Sequence, residues 1–362
     1  MFESEVPSAF VAEQELARSW QRVGADYRLH RYAAFMLVSS RTPKWIRVSL
    51  FVVTTLLMLA GIASLLVNCD ARPQAAVDAP APAPAKPLVF ASHPFLVEIV
   101  QRLAGDGVEI VAPWKSSVGD PAFWQPTAEQ VRAIQACDLI VLNGAGFEHW
   151  TDQAALPRAR TLDTTASLKA KFIVVEGTTH SHGPQGEHSH EGTAFTTWLS
   201  PEFARVQAHE IAARLATLLP SRAASMSAAM VEIDATLAAT QSALAAVALA
   251  AAAQGEQHWL ASHPVFQYLG QAADLQISAV QWEPGEMPSN DEWSRLAQLR
   301  GSQPRAWMIW EGQPSVGIAT KLAVLGVKVV VVAQYGTADG SVIAGLRASA
   351  EAMRDGVAQR VP

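Results

Sequence analysis

Cysteine is nearly absent from this chain, which has two, Cys69 and Cys137, among 362 residues. Two cysteines provide neither a disulfide framework nor a cysteine-based zinc site. Cys137 stands in the apolar stretch AIQACDLIVLNG, which predicts a small buried side chain. A zinc site held by a cluster of cysteines is therefore not expected in this protein.

An excess of basic residues is also lacking: 27 Lys and Arg face 33 Asp and Glu, for a net charge of −6. Binding to nucleic acid asks for a concentrated basic face, so we exclude nucleic acid as a partner. The chain has no nucleophile elbow and no His-Glu-x-x-His helix, which disfavours a metal-dependent hydrolase. Its length is too great for one ordinary core and predicts two lobes.

One uncharged apolar run, VSLFVVTTLLMLAGIASLLVN (48–68), is long enough to cross a bilayer. Arg41, Lys44 and Arg47 precede it, and the positive-inside rule then keeps the N-terminus in the cytoplasm. Everything after the run is expected on the extracytoplasmic face of a bacterial inner membrane.

The end of the apolar run leaves two interpretations open. Cys69 follows Leu-Val-Asn, which resembles the lipobox of bacterial lipoproteins, although Asn68 stands where a small residue is usual. The run is therefore either an uncleaved anchor or a signal segment ending at a lipid-bearing Cys69. Met36 as the true start would give that signal segment an ordinary length. Both interpretations tether the rest of the chain to the membrane.

The composition divides the remaining chain into segments. The alternating alanine and proline of 71–87 predict an extended spacer. Beyond it, helical patterns alternate with continuously apolar strands, which is typical of parallel sheets covered on both faces. The predicted order is a cytoplasmic or mis-assigned segment (1–47), the apolar span (48–68), a linker (69–87), an N-terminal α/β lobe (88–220), a linking helix (221–254) and a C-terminal α/β lobe (255–362).

The fold class predicted is thus α/β, with two lobes that each hold a mainly parallel sheet flanked by helices. The Ala-rich 221–254 stretch, free of proline and glycine, predicts one long helix that joins them. Ligand sites in such sheets lie at the carboxyl ends of the strands. We therefore expect the functional site in a cleft between the lobes.

The stretch THSHGPQGEHSHEG (178–191) holds four of the ten histidines of the chain. Gly183, Pro184 and Gly186 predict a loop there rather than a helix or strand. Short His-rich tracts commonly bind metal. Three interpretations stay open: a solvated polar loop, a flexible arm that collects metal, or a segment that folds over the cleft and supplies ligands.

Four further stretches carry a family resemblance: 119–150 (GDPAFW…GFEHW), 198–220 (WLSPEF…TLLP), 261–275 (ASHPVFQYLGQAADL) and 282–289 (WEPGEMPS). In this order, from about Leu88 to Val361, the chain resembles the zinc and manganese solute-binding proteins of ABC importers. The resemblance implies a binding protein rather than an enzyme, with a divalent metal as ligand and an ABC permease as partner.

The chain departs from that family's usual metal site of three histidines and one carboxylate. The expected positions fall on Ala122, Thr196, His263 and Ala333, so only His263 keeps a ligand. Histidine rather than glutamate at this position favours zinc over manganese.

The replacements that we predict for the lost ligands are His93, at the end of the first strand, and Glu311, at the end of WMIWEG. With His263 they offer the imidazole and carboxylate groups that zinc accepts. Glu148, His149 and Glu283 are weaker candidates. His180, His182, His188 and His190 are expected to form a second, looser class of site, because a flexible loop must be ordered on binding.

Two other functions stay open at this stage. One is a tethered zinc buffer or metal-sensing interaction protein without a transporter, which neighbouring genes for a permease and an ATPase would argue against. The other is a degenerate receptor for a ligand that is not a metal.

Overall fold

A computed structural model of the protein describes residues 85–116, 120–175, 179–181, 187–189, 192–282, 286–302, 305–336 and 340–358. The chain divides into two units, Met1–Ala83 and Pro84–Pro362, and the descriptions below concern the second. The predicted apolar span 48–68 and Cys69 lie outside the described residues, so membrane attachment stays a prediction.

The N-terminal lobe is built on a parallel sheet with the order β2-β1-β3-β4. Its strands are β1 (Leu88–Ala91), β2 (Glu109–Val111), β3 (Leu139–Leu142) and β4 (Thr161–Asp163). Helix α1 (Pro94–Ala104) follows β1, and α2 (Ala128–Ala136) begins at a capping box formed by Thr127 and Gln130. The central strand β3 is buried along its whole length, as its continuous apolar sequence predicts for a covered sheet.

The C-terminal lobe repeats this arrangement, with the parallel order β10-β9-β11-β12. Its strands are β9 (His258–Ala261), β10 (Gln276–Ala279), β11 (Ala306–Trp310) and β12 (Val327–Val331). The helices of this lobe are α5 (Gln267–Ala272), α6 (Asn290–Arg300), α7 (Val316–Val324) and α8 (Val342–Ala358). The predicted pair of parallel α/β lobes is confirmed.

Two helices lead from one lobe to the other: α3 (Pro201–Leu218) and the long α4 (Ala223–Gln254). Most of the side chains that α4 buries recur every three or four residues; the buried set is Met226, Met230, Ile233, Leu237, Thr240, Ala243, Leu244, Val247 and Ala251. This spacing gives a single apolar seam along one face, where α4 packs against α3 and α8. The long joining helix of the predicted fold is confirmed.

Candidate metal centre

Each lobe presents the same tetrapeptide where its first strand ends. Ala91-Ser92-His93-Pro94 follows β1, and Ala261-Ser262-His263-Pro264 follows β9. The amide of each serine donates to the neighbouring strand: Ser92 to the Val141 carbonyl at 3.2 Å and Ser262 to the Ile309 carbonyl at 2.9 Å. The two histidines therefore occupy equivalent places at the carboxyl ends of the two sheets.

The surroundings of His263 suit a ligand. Its side chain is 7% exposed and borders a cavity of about 360 Å³. The N-terminal lobe contributes Val175 and the segment Thr193–Thr196 to this cavity, and the C-terminal lobe contributes α5 and the edge strand β10. Thr196, one of the positions where the resemblance expects a ligand, thus borders the same space as His263.

The His-rich stretch leaves and re-enters the fold at this cavity. Strands β5 (Val174–Val175) and β8 (Gly192–Thr193) pair in antiparallel fashion, and the stretch runs between them. Within it, β6 (Thr179–Ser181) pairs with β7 (Glu187–Ser189), so that His180 lies directly opposite His188 in the backbone register. His182 and His190 lie outside the described residues.

The expectation of a loop without strands was therefore wrong for part of this stretch. Gly183, Pro184 and Gly186 fall in the connection between β6 and β7, which lies outside the described residues. Glycine and proline disfavour strands at their own positions but are also common in the turns between paired strands, which the prediction did not take into account.

His93 has different surroundings from His263. It is fully buried, with its ring centroid 4.2 Å from that of Trp198 and 4.8 Å from that of Phe147. Burial lowers the pKa of its imidazole to about 3, and a side-chain hydrogen bond with Asn143 opposes that shift only in part. His93 is therefore a neutral ring packed among aromatic side chains.

Glu311 follows β11, and its negative charge helps to raise the pKa of Tyr335. Among the described residues, which include His93, His263 and Glu311, no group of three or more His, Cys, Asp or Glu side chains is placed to hold a metal ion. Among the described residues, His93, His263 and Glu311 therefore do not form the three-ligand cluster that the sequence predicted.

The segments that lost their ligands are joined instead by hydrogen bonds between the lobes. The Tyr335 hydroxyl donates to Asp120 at 2.5 Å, and the Trp198 indole donates to the Gln334 carbonyl at 2.8 Å. The rings of Trp198 and Tyr335 also stack, 5.6 Å apart. These contacts flank Ala122 and Ala333, so at two of the four expected ligand positions the lobes are joined directly by protein groups.

Glu148, His149 and Glu283, the weaker ligand candidates, differ in their surroundings. The Glu148 carboxylate accepts hydrogen bonds from the Ser92 hydroxyl at 2.5 Å and from the amides of Asn143 at 2.6 Å and Gly144 at 3.1 Å. Burial raises its pKa to about 7. His149 is exposed at the start of a short 3-10 helix, and Glu283 lies outside the described residues.

Sequence reasoning missed Asn143, Tyr268 and Tyr335, which bond the segments that border the site. The repeated Ala-Ser-His-Pro tetrapeptide was a usable signal, because it marks equivalent strand ends in the two lobes. The tetrapeptide alone does not indicate which of the two histidines, His93 or His263, borders a cavity.

Solved structures with the same fold are metal-binding proteins by their descriptions. The metal-dependent lipoprotein YcdH from Bacillus subtilis superposes with a TM-score of 0.59 at 19% identity, over 74% of this chain and 97% of that one. The Zn(II)-bound ZnuA-like domain of Streptococcus pneumoniae AdcA superposes with a TM-score of 0.59 at 19% identity, over 76% of this chain and 100% of that domain. The periplasmic zinc-binding protein TroA from Treponema pallidum superposes with a TM-score of 0.57 at 15% identity, over 76% of this chain and 100% of that one.

No curated protein matches the chain closely enough to count as a relative. A family model does match: residues 89–356 fit the family described as zinc-uptake complex component A, periplasmic. The match spans both lobes, the joining helix and the His-rich stretch between them. Proteins of this family are non-enzymatic receptors that deliver metal to ABC importers from outside the cytoplasm. With two lobes of this fold and a family match over most of its length, the chain belongs to the zinc-uptake complex component A family of solute-binding proteins.

Proposed function

We propose that this protein is a tethered extracytoplasmic receptor that captures zinc for an ABC importer, and that it holds the metal between His263 and the histidines of its His-rich hairpin. One observation carries the proposal. The cavity beside His263 is bordered by Val175 and Thr193, the residues at which the hairpin leaves and re-enters the fold. The histidines of the hairpin therefore follow, within a few residues of the chain, the strand that borders the cavity, and the imidazole of His263 lines the same cavity.

The ligand chemistry favours zinc. Zinc takes four ligands in a tetrahedron and accepts imidazole nitrogen readily, whereas manganese prefers carboxylate and water oxygens. His263, His180, His182, His188 and His190 offer imidazoles in excess of that number. Manganese is therefore the less suitable ion for this set.

The part of the family's metal site around Ala122 and Ala333 is a poor alternative position for zinc. Two of its four ligand positions are alanines, Ala122 and Ala333, and His93 is enclosed by aromatic rings. Glu311 and Asp120 lie beside Tyr335, whose hydroxyl bonds to Asp120. Ala122 and Ala333 offer zinc no side-chain ligand, whereas the other two positions, Thr196 and His263, border the cavity beside the hairpin.

The tether rests on the sequence. The uncharged span 48–68, its basic flank and Cys69 support either an uncleaved anchor or a lipid on Cys69. The Ala/Pro linker that follows would hold the receptor away from the bilayer surface and near its permease.

Calorimetric titration of zinc into the unit Pro84–Pro362 tests the site. We expect a tight class of binding that is lost both in His263→Ala and in a variant whose residues 180–190 are replaced by a Gly/Ser loop. His149→Ala is the matched control, since it removes an exposed histidine outside the cavity and should leave zinc binding unchanged. Tight binding that survives both changes would place the metal elsewhere. An absence of zinc binding in the unchanged protein would favour a receptor for another ligand.

A further inference from the structure

We propose that the cavity beside His263 also takes zinc as an uncharged complex with a small organic chelator, which fills the cavity while His263 binds the metal. The chelator is of the amino-dicarboxylate class, with one amine and two carboxylates that together carry two negative charges. The proposal rests on one part of the function proposed above, zinc at His263, and it uses no ligand from the His-rich hairpin.

The cavity is larger than a bare ion needs. Its volume of about 360 Å³ falls in the range of about 300–1,000 Å³ that is usual for small-molecule sites. Zinc binds ring nitrogens at about 2.0–2.1 Å, so an ion bound to His263 occupies only the end of the cavity next to that ring. The rest of the space suits an organic molecule bound together with the metal.

One side of the edge strand β10 and its flanking residues forms a wall of this space. Alternate residues of a strand point to the same side of the sheet. The cavity is lined by the alternate residues Leu275, Ile277, Ala279 and Gln281. The Trp282 amide donates to the Ser262 carbonyl at 3.0 Å, which places Gln281 beside the turn that carries His263. The wall is therefore apolar away from His263 and ends in a side-chain amide next to it.

The charge of the lining favours a neutral ligand. None of the described residues that line the cavity is an Asp, Glu, Lys or Arg, and His263 is the one titratable side chain among them. A bare zinc ion bound to His263 alone would keep both positive charges in this space, and a buried charge without a partner is costly. An amino-dicarboxylate brings two carboxylates with the zinc, so the complex is neutral and avoids this cost.

The number of ligands points to the same class of chelator. Zinc usually takes four ligands in proteins, and the described residues place no group of three or more His, Cys, Asp or Glu side chains together. A chelator that binds through one amine and two carboxylates supplies three ligands and leaves the fourth position to His263. The Gln267 side-chain amide, which lines the cavity, donates to the Pro264 carbonyl at 2.7 Å. Its amide oxygen is then oriented as an acceptor for the amine of the chelator.

Zinc iminodiacetate is the probe, because it is neutral and holds zinc through one amine and two carboxylates. Calorimetry measures its binding to the full chain in detergent, with residues 180–190 replaced by a Gly/Ser loop so that the hairpin histidines take no part. We expect one complex to bind per protein. Zinc salt alone and iminodiacetate alone should not bind tightly to this chain.

Four substitutions in the same chain test the role of the cavity. His263→Ala should abolish binding of the complex. Ala279→Leu fills part of the cavity and should weaken binding by about 10-fold or more. Ala323→Leu, the matched control, adds the same side chain at an exposed position of α7 and should leave binding unchanged. Gln281→Glu keeps the shape and adds a negative charge, so it should strengthen binding of zinc salt but not of the neutral complex.

The results separate this inference from the proposed function. If the chain with the Gly/Ser loop does not bind zinc iminodiacetate, or binds it equally well after His263→Ala, the inference is wrong. The proposed function still stands in that case if zinc salt binds tightly to the chain with the intact hairpin and this binding is lost in His263→Ala. Equal losses in Ala279→Leu and Ala323→Leu would also overturn the inference, because they would reflect lost stability rather than a filled cavity.

Discussion

Tyr335 of the C-terminal lobe and Asp120 of the N-terminal lobe are joined by a hydrogen bond of 2.5 Å between the phenol hydroxyl and a carboxylate oxygen. The same carboxylate oxygen accepts from the Ala122 amide at 2.8 Å. Ala122 and Ala333 are positions at which the family resemblance expects metal ligands, and Tyr335 comes two residues after Ala333. A direct bond between protein groups therefore joins the two segments that a metal ion would otherwise bridge.

Tyr335→Phe should destabilise the fold by about 1.5–3 kcal/mol, because hydrogen bonds to charged groups contribute about that much. Urea unfolding of Pro84–Pro362 measures the change. Asp120→Asn changes the partner of the same hydrogen bond. The double variant should lose less unfolding free energy than the sum of the losses in the two single variants. Additive losses would show that the two groups do not interact.

The lobes should keep the same arrangement with and without metal, because protein contacts join them. We expect small-angle X-ray scattering of Pro84–Pro362 to give the same radius of gyration in excess chelator and in excess zinc. A clear compaction on addition of zinc would mean that metal closes the cleft, and the contacts between the lobes would then not be enough to hold them.

Glu148 should make stability depend on pH. Burial raises the pKa of its carboxyl from an ordinary 4.5 to about 7, so the folded protein favours the protonated form. The contribution of protonated Glu148 to the free energy of unfolding is fully present below pH 4.5 and is lost as the pH rises through about 7. By linkage, this loss amounts to about 3 kcal/mol.

Glu148→Gln cannot ionise and should remove this dependence. The free energy of unfolding of the unchanged protein, relative to that of the variant, should fall between about pH 4.5 and about pH 7. Urea unfolding across this range measures it. A difference that does not vary with pH would mean that Glu148 keeps an ordinary pKa.

Export of the receptor follows from the uncharged span 48–68 and its basic flank. A reporter fused after residue 100 should be active outside the cytoplasm. Globomycin, which blocks lipoprotein processing, should change the size of the product only if Cys69 carries the lipid. Reporter activity in the cytoplasm would overturn the localisation and with it the proposed delivery to an importer.

The sequence predicts the fold better than the site. Continuous apolar runs such as 139–142 identify buried parallel strands, and the Ala-rich stretch identifies α4. The seam of α4 could not be predicted, because alanine on all sides of the helix conceals which face packs. The length and composition of the stretch predict that it is helical, whereas the elements that pack against the helix depend on the rest of the chain.

The site was harder to predict because its geometry depends on contacts between distant segments. His93 and His263 share one tetrapeptide, yet Trp198 and Phe147 enclose the first and a cavity borders the second. Thr196 could be recognised as a lost ligand, but its bond to Val265 joins residues 69 apart in the chain. No local pattern carries that information.

The position of zinc in crystals of the loaded protein, located by anomalous scattering at the zinc edge, tests the proposed site most directly. We predict a peak about 2.0–2.1 Å from a ring nitrogen of His263, with hairpin histidines among the other ligands. A zinc peak beside His93 and Glu311, with His263 outside the coordination sphere, would contradict the proposed site.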